Sequence, residues 1–145
     1  MKISNKEFNL SSEKQFQVFD ITKTVKEHIA EENIHKGLIT ISTKHTTTAI
    51  RVNENEERLL KDLSKYFADI APDGKPYLHD DVERRDCPNG EPKNTHAHLQ
   101  AMIMGASESL PIVNGTLSLG EWQGVFFIEL DGARERTYTL TIIGE

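Results

Sequence analysis

The length, composition and charge of this chain exclude several classes of protein. The chain has 145 residues, of which 37% are hydrophobic and 28% charged, the usual balance of a soluble globular protein with one domain over residues 1–145. The formal net charge of −6 argues against broad nucleic-acid binding, because phosphate backbones attract a positive surface. A local arginine cluster is still sufficient to bind a small anion.

Targeting signals and disulfides are not predicted. The single cysteine, Cys87, cannot form an intrachain disulfide, which is typical of a reducing compartment. The first residues lack the apolar run of a signal peptide, and no stretch approaches the roughly 20 apolar residues of a membrane helix. We therefore expect a cytoplasmic protein with neither a membrane nor a nucleic acid as partner.

The first half of the chain predicts short strands and two helices. Polar and apolar residues alternate in the strands, and apolar residues recur every three or four positions in the helices. The first helix begins near Asp20 or Thr22 and ends by Gly37. The predicted elements are strands at 8–10, 15–19, 38–43 and 45–52, a helix after residue 20, and an amphipathic helix at 53–70.

The second half begins with a long loop and ends in antiparallel strands. Residues 71–93 contain four of the five prolines, and a loop of this length is usually functional or disordered. A helix follows from Asn94 or Thr95 to about residue 107, with an expected buried stripe of Leu99, Met102, Ile103 and Ala106. Strands are predicted at 110–113, 116–120, 124–130 and 136–143. This order indicates an α+β domain built on antiparallel sheets with about three helices.

Four of the six histidines lie between residues 44 and 98, each beside polar neighbours. His45 precedes Thr46 and Thr47, which suits either a metal or phosphate site or an ordinary strand. His79 precedes Asp80, so the pair is either an oriented metal ligand or part of a solvated acidic loop. We predict that these histidines converge with His98 on one pocket.

Two amide side chains lie at predicted helix starts. Asn53 is either a helix cap or a residue that faces a pocket, and the capping interpretation carries more weight. Asn94 precedes His96 and His98, whose rings diverge by about 200° in a helix. We expect His98 to face the pocket, His96 to lie at its rim, and the helix start to attract phosphate.

The C-terminal strands carry a buried carboxylate and two arginines. Glu129 interrupts an apolar run and needs a partner, for which Arg134 or Arg136 across the hairpin is suitable. The pair is either a structural salt bridge or part of a site in which the arginines bind an anion. Trp122, beside Gln123, either stacks on a planar ligand or belongs to the core.

These motifs together resemble the YjbQ family, whose members are often labelled secondary thiamine-phosphate synthases. The resemblance runs from about residue 14 to the end of the chain. It depends on His45-Thr46-Thr47, Asn53-Glu54-Asn55, Tyr77-x-His79-Asp80, Asn94-x-His96-Ala97-His98-Leu99-x-Ala101, residues 105–115, Leu119-Gly120-x-Trp122-Gln123-Gly124 and Glu129-x-Asp131-Gly132-x-Arg134-x-Arg136. Two positions depart from the family pattern: Ala133 replaces a proline, and Glu121 replaces a small or hydroxyl residue.

The resemblance implies a β-sandwich, a homotrimer and a weak thiamine-phosphate synthase activity. It implies a site near subunit boundaries lined by His45, His79 and His98, with a divalent metal such as Zn²⁺ or Mg²⁺. On this hypothesis the histidines and Glu129 are catalytic. The residues expected to bind a small phosphorylated metabolite are Thr46, Thr47, Asn53, Asn94, His96, Trp122, Gln123, Arg134 and Arg136. The alternatives are a metal-dependent phosphatase or hydrolase and a non-catalytic trimer that binds a metal or anion.

Overall fold

The computed structural model describes residues 1–145, which form two antiparallel sheets and three α-helices. The strands are β1 (Lys2–Ser11), β2 (Gln17–Asp20), β3 (Lys36–Thr43), β4 (Thr48–Glu54), β5 (Ser107–Val113), β6 (Thr116–Leu117), β7 (Gln123–Glu129) and β8 (Glu135–Gly144). The helices are α1 (Thr22–Glu32), α2 (Glu57–Ile70) and α3 (Thr95–Met104). Two short 3₁₀ turns, Leu78–Asp80 and Val82–Arg84, lie in the loop between α2 and α3.

The two sheets pack face to face and enclose the main core. One sheet has the strand order β1-β8-β3-β5-β6 and the other β2-β7-β4. The core between them combines alternate residues of both sheets, such as Ile41, Leu140 and Phe127, with Val25 and Ile29 of α1. Alternate side chains of a strand point to opposite faces, so each strand supplies every second residue to this layer. The predicted α+β sandwich is confirmed.

Strand β7 is buried on both faces, which accounts for its continuous apolar run. One face packs into the main core, and the other face meets α2 and α3 through Phe126 and Ile128. Ala97 and Ala101 of α3 allow the helix to approach this face closely. The strand is covered on both sides from Gly124 onwards, which explains why Glu129 at its end is fully buried.

The predicted buried stripe of α3 is wrong. Leu99, Met102 and Ile103 point outwards, with exposed fractions of 42%, 84% and 53%. The helix instead buries its smaller and polar face, which includes Ala97 and Gln100. Close packing on the sheet requires small side chains, and the Gln100 amide is satisfied by backbone carbonyls at the end of α2. The larger apolar residues are therefore left as an exposed face.

Several predicted element bounds also differ. Helix α1 ends at Glu32, with Asn33 in the left-handed conformation, and Gly37 belongs to β3. Helix α2 begins at Glu57, because Asn53 still belongs to β4 and the carboxylate of Glu56 caps the helix. Strand β6 covers only Thr116–Leu117. No helix has both the length and the apolar character needed to span a membrane.

Five elements begin or end at the same edge of the sandwich. Strands β3 and β7 end there, β4 and β8 begin there, and α3 starts beside them. Antiparallel pairing places the end of one strand beside the start of its neighbour. This arrangement brings polar residues from distant parts of the chain to one place.

Candidate functional site

A polar cleft of about 370 Å³ opens at this edge of the sandwich. That volume is within the range of small-molecule sites. None of its lining residues is hydrophobic. They are Thr46, Thr47, His79, Arg85, Glu91, Pro92, Asn94, His98, Asp131, Arg134 and Arg136.

Glu129 and Arg136 form a buried ion pair beneath this polar cleft. The guanidinium of Arg136 donates from Nε and Nη2 to the two carboxylate oxygens, each at 2.7 Å, and Nη2 also donates to Thr47 Oγ1 at 2.9 Å. Glu129 accepts further bonds from Ser12 Oγ and from the backbone N–H groups of Leu130 and Asp131. Burial alone would raise the pKa of Glu129, but these hydrogen bonds and the Arg136 charge outweigh it and lower that pKa. Of the two partners predicted for Glu129, the structure has Arg136, and Glu129 is not among the residues that line the cleft.

Asp131 positions two further cleft residues. Its Oδ2 accepts from Arg134 Nη2 at 2.9 Å and from Asn94 Nδ2 at 2.8 Å, and its carbonyl oxygen accepts from Arg134 Nε at 2.8 Å. One carboxylate thus holds the β7–β8 turn against the start of α3. The side chain of Arg134 remains 40% exposed, so its outer nitrogen is open to a ligand.

His79 and His98 are neighbours in the polar cleft. Their ring centroids are 4.8 Å apart in an edge-to-face arrangement. Burial lowers the pKa of His98, and the charges of His79 and Arg85 lower it further. His98 is therefore neutral at pH 7, a form that can accept a proton or bind a metal. Arg85 is anchored beside the pair because its Nη1 donates to the carbonyl oxygen of His79 at 2.9 Å.

Asp80 caps the helix that carries His98. Its Oδ1 accepts from the backbone N–H of Thr95 at 3.1 Å and from Thr95 Oγ1 at 2.6 Å. These bonds lower the pKa of Asp80, although burial alone would raise it. A carboxylate already occupies the positive end of α3, so the arginines are better placed than the helix start to bind phosphate. The loop that carries His79 is thereby fastened to the helix that carries His98.

His45 lies beside a neighbouring cavity that it shares with His98 and Thr46. Its Nε2 accepts a hydrogen bond from the backbone N–H of Thr137 at 2.9 Å. Burial and the Arg136 charge lower the pKa of His45, so the neutral ring carries its proton on Nδ1. The predicted ligands His45, His79 and His98 do not form a ready-made three-histidine metal centre, because Nε2 of His45 is engaged and no three His, Cys, Asp or Glu side chains are grouped for a metal ion.

Four predicted ligand-binding residues lie outside the polar cleft. His96 is buried on another face of α3, where its Nε2 is 2.8 Å from Gln15 Nε2. Asn53 is exposed on β4, and its Oδ1 accepts from the N–H of Glu54. Trp122 and Gln123 line a separate groove at the opposite end of β7, roughly 20 Å from Glu129 at 3.4 Å per residue. Within one chain these side chains cannot reach the same ligand.

Arg85, Glu91, Pro92 and Asp131 also line the polar cleft but are not among the predicted site residues. Arg85 follows Arg84 in the proline-rich loop, where two adjacent arginines were the available signal. Asp131 precedes Gly132, and this pair by itself indicates only a hairpin turn. Its second role depends on the meeting of the turn with α3, which sequence spacing does not show.

Comparisons with known proteins give a consistent result. A family model described as "UPF0047 protein YjbQ-like" matches residues 6–145. A UPF0047 protein of Methanothermobacter thermautotrophicus is 32% identical over the whole of this chain and 95% of its own length. The crystal structure of a hypothetical protein from Aeropyrum pernix matches with a TM-score of 0.89 and 37% identity, covering 98% of this chain and 99% of that one. A protein of unknown function from Sulfolobus solfataricus matches with a TM-score of 0.90 and 32% identity over 99% of both chains.

Proposed function

This chain belongs to the YjbQ-like UPF0047 family, and we propose that it is an enzyme acting on small phosphorylated molecules. One observation carries the proposal. Three arginines, Arg85, Arg134 and Arg136, line one polar cleft together with the neighbouring imidazoles of His79 and His98. Positive donors beside a pair of titratable rings are suited to reactions at a phosphate group.

The arginines are oriented but retain free donors. Arg136 uses Nε and Nη2 for Glu129 and Thr47, and Arg134 uses Nε and Nη2 for Asp131, so each keeps Nη1 for a ligand. Arg85 uses only Nη1. A guanidinium held by a carboxylate loses little side-chain entropy when it binds an anion. This arrangement supports binding of a phosphate or diphosphate in the cleft.

The specific reaction that we propose is the weak synthesis of thiamine phosphate implied by the family resemblance. The bond between the pyrimidine methylene carbon and a diphosphate oxygen breaks, and the thiazole nitrogen forms a new bond to that carbon. The diphosphate leaves with the bonding electron pair, and its charge is stabilised by the arginines. Burial and the charge of His79 lower the pKa of His98, so its neutral ring can accept a hydrogen bond from the substrates. Mg²⁺ enters as part of the diphosphate substrate.

The test is a synthesis assay with purified protein, Mg²⁺, hydroxymethylpyrimidine diphosphate and thiazole phosphate. We expect the wild-type protein to form thiamine phosphate. The rate of formation by the His98→Ala variant should be lower by a factor of about 100 or more. His35→Ala is the matched control, because this histidine is exposed and lies outside the polar cleft. Equal product from wild-type and His98→Ala protein would exclude the proposed role of the cleft.

A second candidate is a metal-dependent phosphatase or hydrolase. The adjacency of His79 and His98 favours it, since neighbouring imidazoles are common metal ligands. A panel of phosphorylated metabolites, each assayed with and without a chelator, separates the two activities. Phosphate release that disappears with the chelator and returns with Zn²⁺ or Mg²⁺ supports the hydrolase. Ligand-induced stabilisation without turnover of any substrate supports a non-catalytic binding protein.

We also propose a homotrimer in the cytoplasm. The exposed apolar residues Leu99, Met102 and Ile103 support self-association, because they are neighbours on the outer face of α3 beside the polar cleft. The single cysteine supports a reducing location.

A further inference from the structure

We infer that the site has two lobes, of which the second binds the non-phosphorylated body of the substrate. This inference rests on the proposed function, because the polar cleft supplies the phosphate-binding lobe. The second lobe is a cavity of about 450 Å³ on the other side of His98. Both cavities are lined by Thr46 and His98, so they meet at these two side chains.

The lining of the second lobe differs from that of the first. Ala101 and Met102 of α3, followed by Gly105 and Ala106, form the apolar part of its wall. Lys44 is its one lysine or arginine, and that side chain is 75% exposed. Small residues leave space, and an apolar wall attracts an apolar group more than a second phosphate. The occupant that fits is the aromatic or aliphatic body of a phosphate monoester or diphosphate.

His45 adds one directional contact to this lobe. The backbone N–H of Thr137 can only donate, so Nε2 of the neutral His45 ring accepts and Nδ1 carries the proton. The Nδ1–H group is left without a partner in the chain and lies in a residue that lines the second lobe. A body with a hydrogen-bond acceptor, such as a ring nitrogen or a carbonyl oxygen, therefore binds better than a pure hydrocarbon.

Ala106 and Ala101 are the residues expected to determine specificity. Each has only a methyl group, and a larger side chain at either position would occupy the second lobe without entering the polar cleft. Ala106 is exposed, so a leucine there does not disturb the core. Ala101 is 8% exposed and packs against the sheet, so Ala101→Leu carries a greater risk of misfolding.

The experiment is calorimetric titration of wild-type protein with three probes: inorganic phosphate, inorganic diphosphate and benzyl phosphate. We expect benzyl phosphate to bind about tenfold more tightly than inorganic phosphate, because its ring is transferred from water into the apolar second lobe. In Ala106→Leu and Ala101→Leu proteins this advantage should fall to less than about twofold, with the Kd for diphosphate unchanged. Ser107→Leu is the matched control, since it adds the same side chain one residue beyond the lobe.

The outcomes separate this inference from the proposed function. Diphosphate binding with no advantage for benzyl phosphate overturns the two-lobe inference and leaves the anion site intact. An advantage that survives both leucine substitutions also overturns it. If the wild-type protein binds none of the probes, both the anion site and the two-lobe inference are wrong. Unchanged diphosphate binding in Arg134→Gln protein, with a normal response of the benzyl probe to Ala106→Leu, places the phosphate elsewhere and contradicts the arrangement of the lobes.

Discussion

Glu129 illustrates how one buried carboxylate prepares a site without touching the ligand. It is fully buried, and its oxygens are engaged by Arg136, Ser12 and two backbone N–H groups. A buried charge is tolerated only when its lone pairs are satisfied in this way. Glu129 is therefore a positioning residue, and the group that it offers to a ligand is the Arg136 guanidinium.

Replacing Glu129 with glutamine should destabilise the fold. Glu129→Gln keeps the shape but leaves the charge of Arg136 buried and uncompensated, which costs about 3–5 kcal/mol when one partner of a buried pair is removed. Urea unfolding measures this loss. Glu135→Gln is the control, because Glu135 is exposed and should change stability by less than about 0.5 kcal/mol. A comparable loss in the two variants would contradict the buried-pair interpretation.

His98 should titrate below its ordinary pKa of about 6.5. Burial, His79 and Arg85 all disfavour its charged form in the folded protein. On acidification the unfolded chain takes up this proton first, so stability falls as the pH drops from about 6.5 to the folded pKa, and this contribution is constant outside that window.

Imidazole NMR measures the titration of His98 directly. Replacing His79 with glutamine removes a nearby positive charge, so the pKa of His98 should rise towards 6.5 in His79→Gln protein. A wild-type pKa at or above 6.5 would show that the His98 ring is not held as described.

Helix α3 connects the loop, the site and the exposed surface. Its start is capped from a distance by Asp80, its inner face packs on the sheet, and His98 lies between these two regions. The bond from Thr95 to Asp80 therefore fixes the position of the His79 loop relative to His98 in the polar cleft.

Removing this cap should loosen the loop and the helix together. Asp80→Ala deletes the acceptor of the Thr95 N–H, a loss of about 1 kcal/mol for a helix cap. Hydrogen exchange should become faster at the start of α3 and around His79, and the edge-to-face contact of His79 with His98 should weaken. Asp81→Ala is the control, because the Asp81 carboxylate forms an ion pair only with the exposed Arg84 side chain and does not cap α3. Unchanged exchange at Thr95 in the Asp80 variant would contradict the capping role.

The whole molecule has a complete core but leaves an apolar helix face uncovered. Leu99, Met102 and Ile103 would gain stability from burial against another copy of the chain. The proposed trimer would cover this face, and the neighbouring polar cleft would then lie near a subunit boundary.

A charge on this face should break the trimer. Ile103→Glu places an unpaired carboxylate in the proposed interface, so light scattering after gel filtration should report a smaller mass than for wild-type protein. Tyr66→Glu tests an exposed residue on α2 and serves as the control. A wild-type monomer, or an Ile103→Glu protein with the wild-type mass, would contradict the assignment of this face.

Local pattern was sufficient for much of the fold and for part of the site. Alternation and turn residues predicted the antiparallel strands, and the need of a buried carboxylate for a partner predicted that Glu129 pairs with Arg134 or Arg136, of which the structure has Arg136. These features depend on neighbours in the sequence or on one hairpin.

Only the tertiary structure decided which distant groups meet. Spacing could not show that α3 buries its alanines and Gln100 rather than Leu99 and Met102, because a helix face is selected by the surface on which it packs. Nor could it show that Trp122 lies at the far end of β7 from Glu129. The predicted meeting of His79 with His98 depended on where a long loop is fastened, and the bond from Thr95 to Asp80 determines that position. Sequence periodicity predicts which residues of a single helix or strand are buried. A site is formed by contacts between elements, and those contacts depend on how the elements pack.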